Sequence, residues 1–469
     1  MKSKYRNLLS DTIIFAIGGF GSKILLFLLL PLYTNVLTDA EYGVADLVFT
    51  IGQLVLPFVS LTIYNGLIRF GLSKGESREN VILCSLIVFV IGSILSFALF
   101  PLLSFYEPVS NYSIYVSIYV VVSFASTTSL SYLKVKNKNK TYAVLSIIQA
   151  LLLVGCNIVF LVGLHLKIIG YLLSTIVSTG VVAFFAFILG GTFTDLRRSH
   201  LDKRLFKEMI LYSFPFILND ISWWFIHSSD KIMIEWMISS AALGLYTAAS
   251  KIPSLINVFA SIFSQAWGLS SIKEYDRDND VSFYSTVFKY FSLCIFGLCI
   301  VIISVVKIFM KYYVGSSFFE SWRYVPLLLL SATFSSVSAF AGSMFGAMKK
   351  SKTIMYTTLI AGLLNIVLNF VFINFVGVWG AVIGTVCSYG IIAFIRMAVV
   401  RKNIKIDYNL KKFVPLCILA IVEAVLIGFD FNPFQIGLSS IILFFVIANN
   451  DIRNVFISIK NRANRKKES

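Results

Sequence analysis

The sequence predicts an all-α polytopic membrane protein. About fourteen transmembrane helices form two six-helix lobes, related by a pseudo-twofold axis along the membrane normal, with two additional C-terminal helices. Three observations predict this. Apolar stretches of about 20 residues, each long enough to cross a bilayer, recur along nearly the whole chain. The breaks between them alternate between strongly basic and nearly uncharged. The chain also matches itself when shifted by 201 to 212 residues. Composition agrees, since 58% of the 469 residues are hydrophobic and only 13% charged, which removes the chain from the range of soluble domains.

In order, the predicted spans are 12–33, 44–68, 81–105, 112–133, 141–163 and 169–191, then, after a long basic break, 209–238, 242–270, 281–306, 324–348, 353–375, 379–400, 412–428 and 434–450. Lys2, Lys4 and Arg6 before the first run resemble the start of a signal sequence. The run is too long for a signal core, and no small-residue cleavage site follows it, so it reads as a permanent span. Alternate breaks hold 31 of the 40 Lys and Arg residues, beginning with Lys2, Lys4 and Arg6, then Arg69, Lys74 and Arg78, then Lys134, Lys136, Lys138 and Lys140. The opposite breaks hold only Lys167, Lys307, Lys311 and Arg323. Both termini are therefore expected in the cytoplasm. This topology accounts for the formal net charge of +17, and no nucleic-acid partner is needed.

Internal repetition sets the expected domains: an N-terminal lobe over 1–200, a second over 201–405, and two further helices with a basic tail over 406–469. A shift of 201 puts Ala40, Glu41, Tyr42, Gly43 and Val44 on Ala241, Ala242, Leu243, Gly244 and Leu245. A shift of 212 puts Lys138, Asn139, Lys140 and Thr141 on Lys350, Ser351, Lys352 and Thr353, and Asn157 on Asn369. A shift of 210 puts Gly170, Thr175 and Ser178 on Gly380, Thr385 and Ser388. Three matches in one order imply a duplicated six-span unit, as in parallel-repeat transporters.

The seventh span carries the chain's unusual polarity. Asp220, Trp224, His227, Lys231 and Glu235 are spaced 4, 3, 4 and 4, so they share one helical face, with Asn219 and Asp230 beside them. Ionisable groups at bilayer depth cost a few kcal/mol on insertion scales, so such a face is expected to meet protein or a water-filled cavity. The alternative for Asp230, Lys231 and Glu235 is an outer-end cluster that snorkels to water. It does not cover Asn219 and Asp220. Five cations fall inside spans: Lys23, Lys231, Lys251, Lys289 and Arg396. Lys289 and Arg396 stand near the cytoplasmic face, where snorkelling is expected. Lys23 stands mid-span, and the 201 shift places it on Trp224 of the polar face.

Other chemistry is missing. No Gly-rich phosphate loop with Lys and Ser/Thr occurs. His165, His200 and His227 have no metal-ligand spacing. The six cysteines lie in apolar runs as small core residues. Loops are too short to hold a catalytic domain. The chain thus reads as a carrier or channel without catalytic residues, metal or cofactor. Pro31, Pro57, Pro101, Pro215, Pro253 and Pro326 lie within or beside spans and favour bending helices, as alternating access requires.

The run Phe20-Gly21-Ser22-Lys23-Ile24 through Leu30-Pro31-Leu32-Tyr33-Thr34, then Leu37-Thr38 and Glu41-Tyr42-Gly43, resembles the opening of Wzx-type polysaccharide-repeat flippases. These belong to the multidrug/oligosaccharidyl-lipid/polysaccharide (MOP) exporter superfamily. Ser213-Phe214-Pro215, Asn219-Asp220, Ser229-Asp230-Lys231, Gly244-Leu245-Tyr246 and Gln265-Ala266-Trp267 resemble that family's seventh and eighth spans. The resemblance implies a bacterial inner-membrane flippase, which turns undecaprenyl-diphosphate-linked oligosaccharide repeat units (O-antigen, capsule or exopolysaccharide) to the outer leaflet. It implies a cationic cavity, for which Lys23, Asp220, Trp224, His227, Asp230, Lys231 and Lys251 are the candidate lining. Lys231 stands where the family leads one to expect arginine, giving a point charge instead of a bidentate phosphate contact. Coupling to protons or sodium, and contact with polysaccharide polymerase and chain-length proteins, stay open. So do two other cargoes within the superfamily: organic cations in a multidrug antiporter, and a lipid-linked peptidoglycan precursor. A scaffold without transport activity would leave Lys23 and Asp220 unexplained.

Overall fold

The computed structural model describes residues 27–73, 76–277, 281–348 and 350–465, and every regular element among them is helical. Ten helices among these residues are long and apolar enough to cross a membrane. By its contacts the chain divides into two compact units, Met1–Ala248 and Ala249–Ser469. The first predicted span, with Lys23, lies mostly outside the described residues.

The first unit begins with α1 (Leu30–Val36) and α2 (Asp39–Ser60). The Thr-x-x-Glu sequence dictates the start of α2. Thr38 Oγ1 accepts from Glu41 N at 3.2 Å, and Thr38 N donates to Glu41 Oε2 at 3.0 Å, a complete capping box. The expected span 44–68 is two helices, because Leu61 and Thr62 both adopt left-handed backbone angles (φ 47°) before α3 (Ile63–Gly71). That conformation is costly for side chains of this size. A buried tertiary bond from Thr62 Oγ1 to Ser213 O (2.8 Å) holds it. Then come α4 (Arg78–Ala98), α5 (Phe100–Ser104), α6 (Ser113–Val135), α7 (Asn139–Asn157), α8 (Lys167–Gly190) and α9 (Thr192–Leu196). Next is α10 (Lys203–Met237), 35 residues long. Asp202 caps it by accepting from Arg204 N and Leu205 N. At about 1.5 Å per residue it runs some 50 Å. Pro215 lies inside α10 without ending it. The helix packs on α2, α3 and α4.

The expected span 242–270 is also two helices, α11 (Ser240–Lys251) and α12 (Ser254–Arg277). The break falls at Pro253, which has no N–H to continue the ladder. In the second unit follow α13 (Val281–Tyr313), α14 (Val325–Ala347), α15 (Ser351–Val376), α16 (Val378–Ile404), α17 (Leu410–Gly428) and α18 (Pro433–Arg465). Within this unit α16 packs on α14 and α15, and α17 and α18 pack on α13.

The sequence repeats correspond to repeated packing. A Cβ on Gly170 of α8 would come within 3.0 Å of Phe160 O, and one on Gly380 of α16 would overlap the backbone of Phe372. Phe160 and Phe372 are themselves related by the 212 shift. Asn157 and Asn369, also equivalent, are both completely buried.

Candidate functional site

The polar residues of α10 fall on two sides of the helix. One side is clipped to α2 and α3 by a ladder of side chains. Ser213 Oγ accepts from Gly66 N at 3.2 Å. Tyr64 donates to Asp220 Oδ2 at 2.8 Å, and Asn219 Nδ2 donates to Asp220 Oδ1 at 3.2 Å. Trp224 is buried, and its indole N–H donates to Thr50 O at 2.9 Å. Higher up, Lys231 Nζ meets Asp46 Oδ2 at 2.7 Å, with side chains only 16% and 9% exposed. Asp230 is buried and receives two bonds, from Tyr246 Oη and from Lys231 N. Ser240 closes the series on Glu235 at 2.6 Å.

Another side of α10 is the more exposed one among the described residues. Asn219, Trp223 and His227 are exposed at spacings of four, and Lys231 stands at the end of that row. Trp223 and His227 stack with ring centroids 5.5 Å apart and planes 7° from parallel. A separate exposed apolar row, Leu211, Phe214, Leu218 and Phe225, suits lipid. Facing an amide and an imidazole into hydrocarbon would be costly, so the Asn219–His227 row suits water or other polar groups.

Asp46 and Lys231 form a buried ion pair of the costly kind, stable only because each charge has its partner. Asp46 is not among the residues expected from the sequence, although a lone acid inside a span is the signal that finds it. Directly above it, the N-terminal ends of α2 and α11 meet backbone to backbone. A Cβ on Gly43 would overlap Ser240 O, and one on Gly244 would overlap Asp39 O. The 201 shift relates Gly43 to Gly244 and Asp39 to Ser240, so the contact is reciprocal, as at a twofold axis.

The remaining expected cations lie elsewhere. Lys23 is outside the described residues. Lys251 is half-buried at the last turn of α11 and belongs by its contacts to the second unit. Lys289 and Lys412 both bind Asp451. Arg396 does not snorkel as the sequence suggested. It is 8% exposed and donates to Thr357 Oγ1 (3.0 Å), Thr358 Oγ1 (2.9 Å) and Ser338 Oγ (3.1 Å). Hydroxyls on α14 and α15 thus satisfy it internally, which makes the reach to water unnecessary. Glu423 on α17 is completely buried, 2.7 Å from Ser304 of α13. No group of His, Cys, Asp and Glu among the described residues could hold a metal ion.

Ten described helices long and apolar enough to span a bilayer make this a multi-pass helical membrane protein. Solved structures agree. The lipid II flippase MurJ in an inward closed conformation aligns with a TM-score of 0.69 at 15% identity, covering 94% of this chain and 100% of that one. An inward-facing multidrug resistance MATE family transporter of the MOP superfamily aligns with a TM-score of 0.63 at 15% identity, over 82% and 98%. At this identity the likeness establishes the fold. A family model described as polysaccharide biosynthesis protein matches residues 8–268, more than half of the chain, and the protein belongs to that family. Lsg locus putative protein 1 of Haemophilus influenzae is 25% identical over 270 residues, 55% of this chain. The match spans 64% of that relative's length.

Proposed function

We propose that the protein is a flippase for polyprenyl-diphosphate-linked oligosaccharide repeat units, moving them from the cytoplasmic to the outer leaflet of the bacterial inner membrane by alternating access. The observation that carries this reading is the exposed Asn219–Trp223–His227 row ending at Lys231, on the span where family membership leads one to look for the cargo path. An amide and aromatic faces suit sugar hydroxyls and rings, and an ammonium suits phosphate oxygens. In this reading both termini are cytoplasmic, and the meeting ends of α2 and α11 lie on the outer side. Lys23, a mid-span cation on the repeat-equivalent of Trp224, supplies a second phosphate contact. Asp220 and His227 belong to the coupling machinery, which takes protons or sodium.

The test is flipping of a fluorescent undecaprenyl-diphosphate oligosaccharide by the purified protein in proteoliposomes. Active flipping with the native glycan, and none of a cationic dye, is the expected result. Dye transport without glycan flipping would overturn the proposal in favour of a drug antiporter, and equal flipping of a peptidoglycan precursor would redefine the cargo. Lys23→Ala should abolish surface glycan at normal protein level, while Lys23→Arg keeps part of it. Full glycan output from Lys23→Ala would remove Lys23 from the site.

A further inference from the structure

We propose that Asp46 is a built-in stand-in for the anionic cargo. Its carboxylate occupies Lys231 while the Gly43–Gly244 crossing is shut, and an arriving phosphate must displace it before α2 and α11 can part. The inference rests on the diphosphate reading of the cargo given above.

Three independent features of the geometry point to it. First, the crossing is tight enough that neither glycine could carry a Cβ without moving the other helix's backbone. Such a contact excludes water and is all-or-none, because no side chain can yield to loosen it by degrees. Second, Asp46 is one helical turn from Gly43 on the same helix, so the Asp46–Lys231 bond at 2.7 Å lies immediately beneath the crossing and fixes α2 to α10. Third, Lys231 is one helical turn beyond His227, the last exposed residue of the row Asn219, Trp223 and His227, so the ammonium that Asp46 occupies lies within a turn of the surface proposed for the cargo.

A carboxylate and a phosphate oxygen compete for the same three ammonium hydrogens, and a diphosphate brings more charge than one carboxylate. Exchange of one for the other keeps Lys231 compensated throughout. Removal of Asp46 without replacement would take away the carboxylate bonded to the Lys231 ammonium. The empty protein therefore holds its outer crossing closed, and only an anion of sufficient charge releases it. Anionic cargo is selected at the opening step, and neutral sugars or cationic drugs, which cannot replace Asp46, leave the crossing shut.

The experiment uses the full chain in detergent, with the six native cysteines replaced and Thr247→Cys introduced. Thr247 is completely buried on α11, one helical turn from Gly244, and is the repeat-equivalent of Asp46, so maleimide labelling at position 247 reports movement of α11 away from its packed neighbours. Inorganic pyrophosphate serves as the probe. In the otherwise wild-type protein, saturating pyrophosphate should raise the labelling rate at least fivefold. Asp46→Asn should label at that high rate without pyrophosphate, and should bind pyrophosphate at least tenfold more tightly. The neutral pair Asp46→Asn with Lys231→Met avoids a stranded charge. It should label fast and ignore pyrophosphate. Slow labelling of both variants, or equal pyrophosphate affinity in wild type and Asp46→Asn, would overturn the stand-in alone. Fast labelling of Asp46→Asn with no pyrophosphate binding by any variant would overturn both the stand-in and the diphosphate reading.

Discussion

At the scale of single residues, charge compensation separates two kinds of site. Where a buried charge is held in an ion pair, truncating one member removes compensation from the other. Lys231→Ala should therefore lower stability by about 3–5 kcal/mol, read as a fall in thermal midpoint in detergent. The neutral double variant with Asp46→Asn should recover most of that loss; a double variant as unstable as the single would show that the pair is not the source. Outside the spans, Asp195 receives Tyr132 Oη at 2.5 Å and Lys136 Nζ at 2.7 Å. Burial alone would raise its carboxyl. Hydrogen bonds from Lys136 and Tyr132 and the Lys136 charge outweigh this and hold it below the usual carboxylate range. Its contribution to stability is thus present above the unfolded-state pKa and is lost as pH falls through the lower folded value. Asp195→Asn should flatten the acid limb of the stability–pH profile, and an unchanged limb would assign acid sensitivity elsewhere. Such pairs were only half legible in the sequence. Lys231 and Asp220 announce themselves as charges in an apolar run, but their partners Asp46 and Tyr64 come from 185 and 156 residues away. No periodicity encodes that separation. Arg396 misleads for the same reason, since its compensating hydroxyls are on other helices.

At the scale of elements, long apolar stretches were readable because their physics is local, whereas their exact starts are set by caps. The Thr38–Glu41 capping box and the Asp202 cap start α2 and α10 at Asp39 and Lys203, ahead of the spans expected from 44 and 209. Interruptions were less readable. Pro253 signals its break, whereas the left-handed Leu61–Thr62 step depends on the distant Ser213 carbonyl. The repeat relation offers a graded test of close helix packing. Gly170 and Gly380 occupy equivalent positions, but a Cβ meets neighbouring backbone at 3.0 Å in the first case and overlaps it outright in the second. Alanine should be the more damaging at position 380, by about 1–3 kcal/mol of overpacking, and milder at 170, as read from paired thermal midpoints. Equal losses at the two sites would mean that backbone clearance does not set the cost.

At the scale of the whole molecule, the proposed direction of transport has an electrical consequence. A diphosphate cargo carries roughly two negative charges, and moving each outward across an inside-negative membrane releases about 2.3 kcal/mol per 100 mV. Two uncompensated charges give on the order of 4–5 kcal/mol per 100 mV, enough to impose direction without ATP. If Lys231 exchanges Asp46 for the cargo phosphate and stays in place while the cargo passes, the protein's own charges do not travel, and the field acts on the cargo alone. The flipping rate in proteoliposomes clamped with potassium and valinomycin should then rise with an inside-negative potential and fall when it is reversed. Co-moving protons or sodium would cancel part of the cargo charge, so the slope against potential counts the charges that cross. A rate indifferent to the potential would mean that each diphosphate crosses with two compensating cations, and the driving force would have to come from an ion gradient.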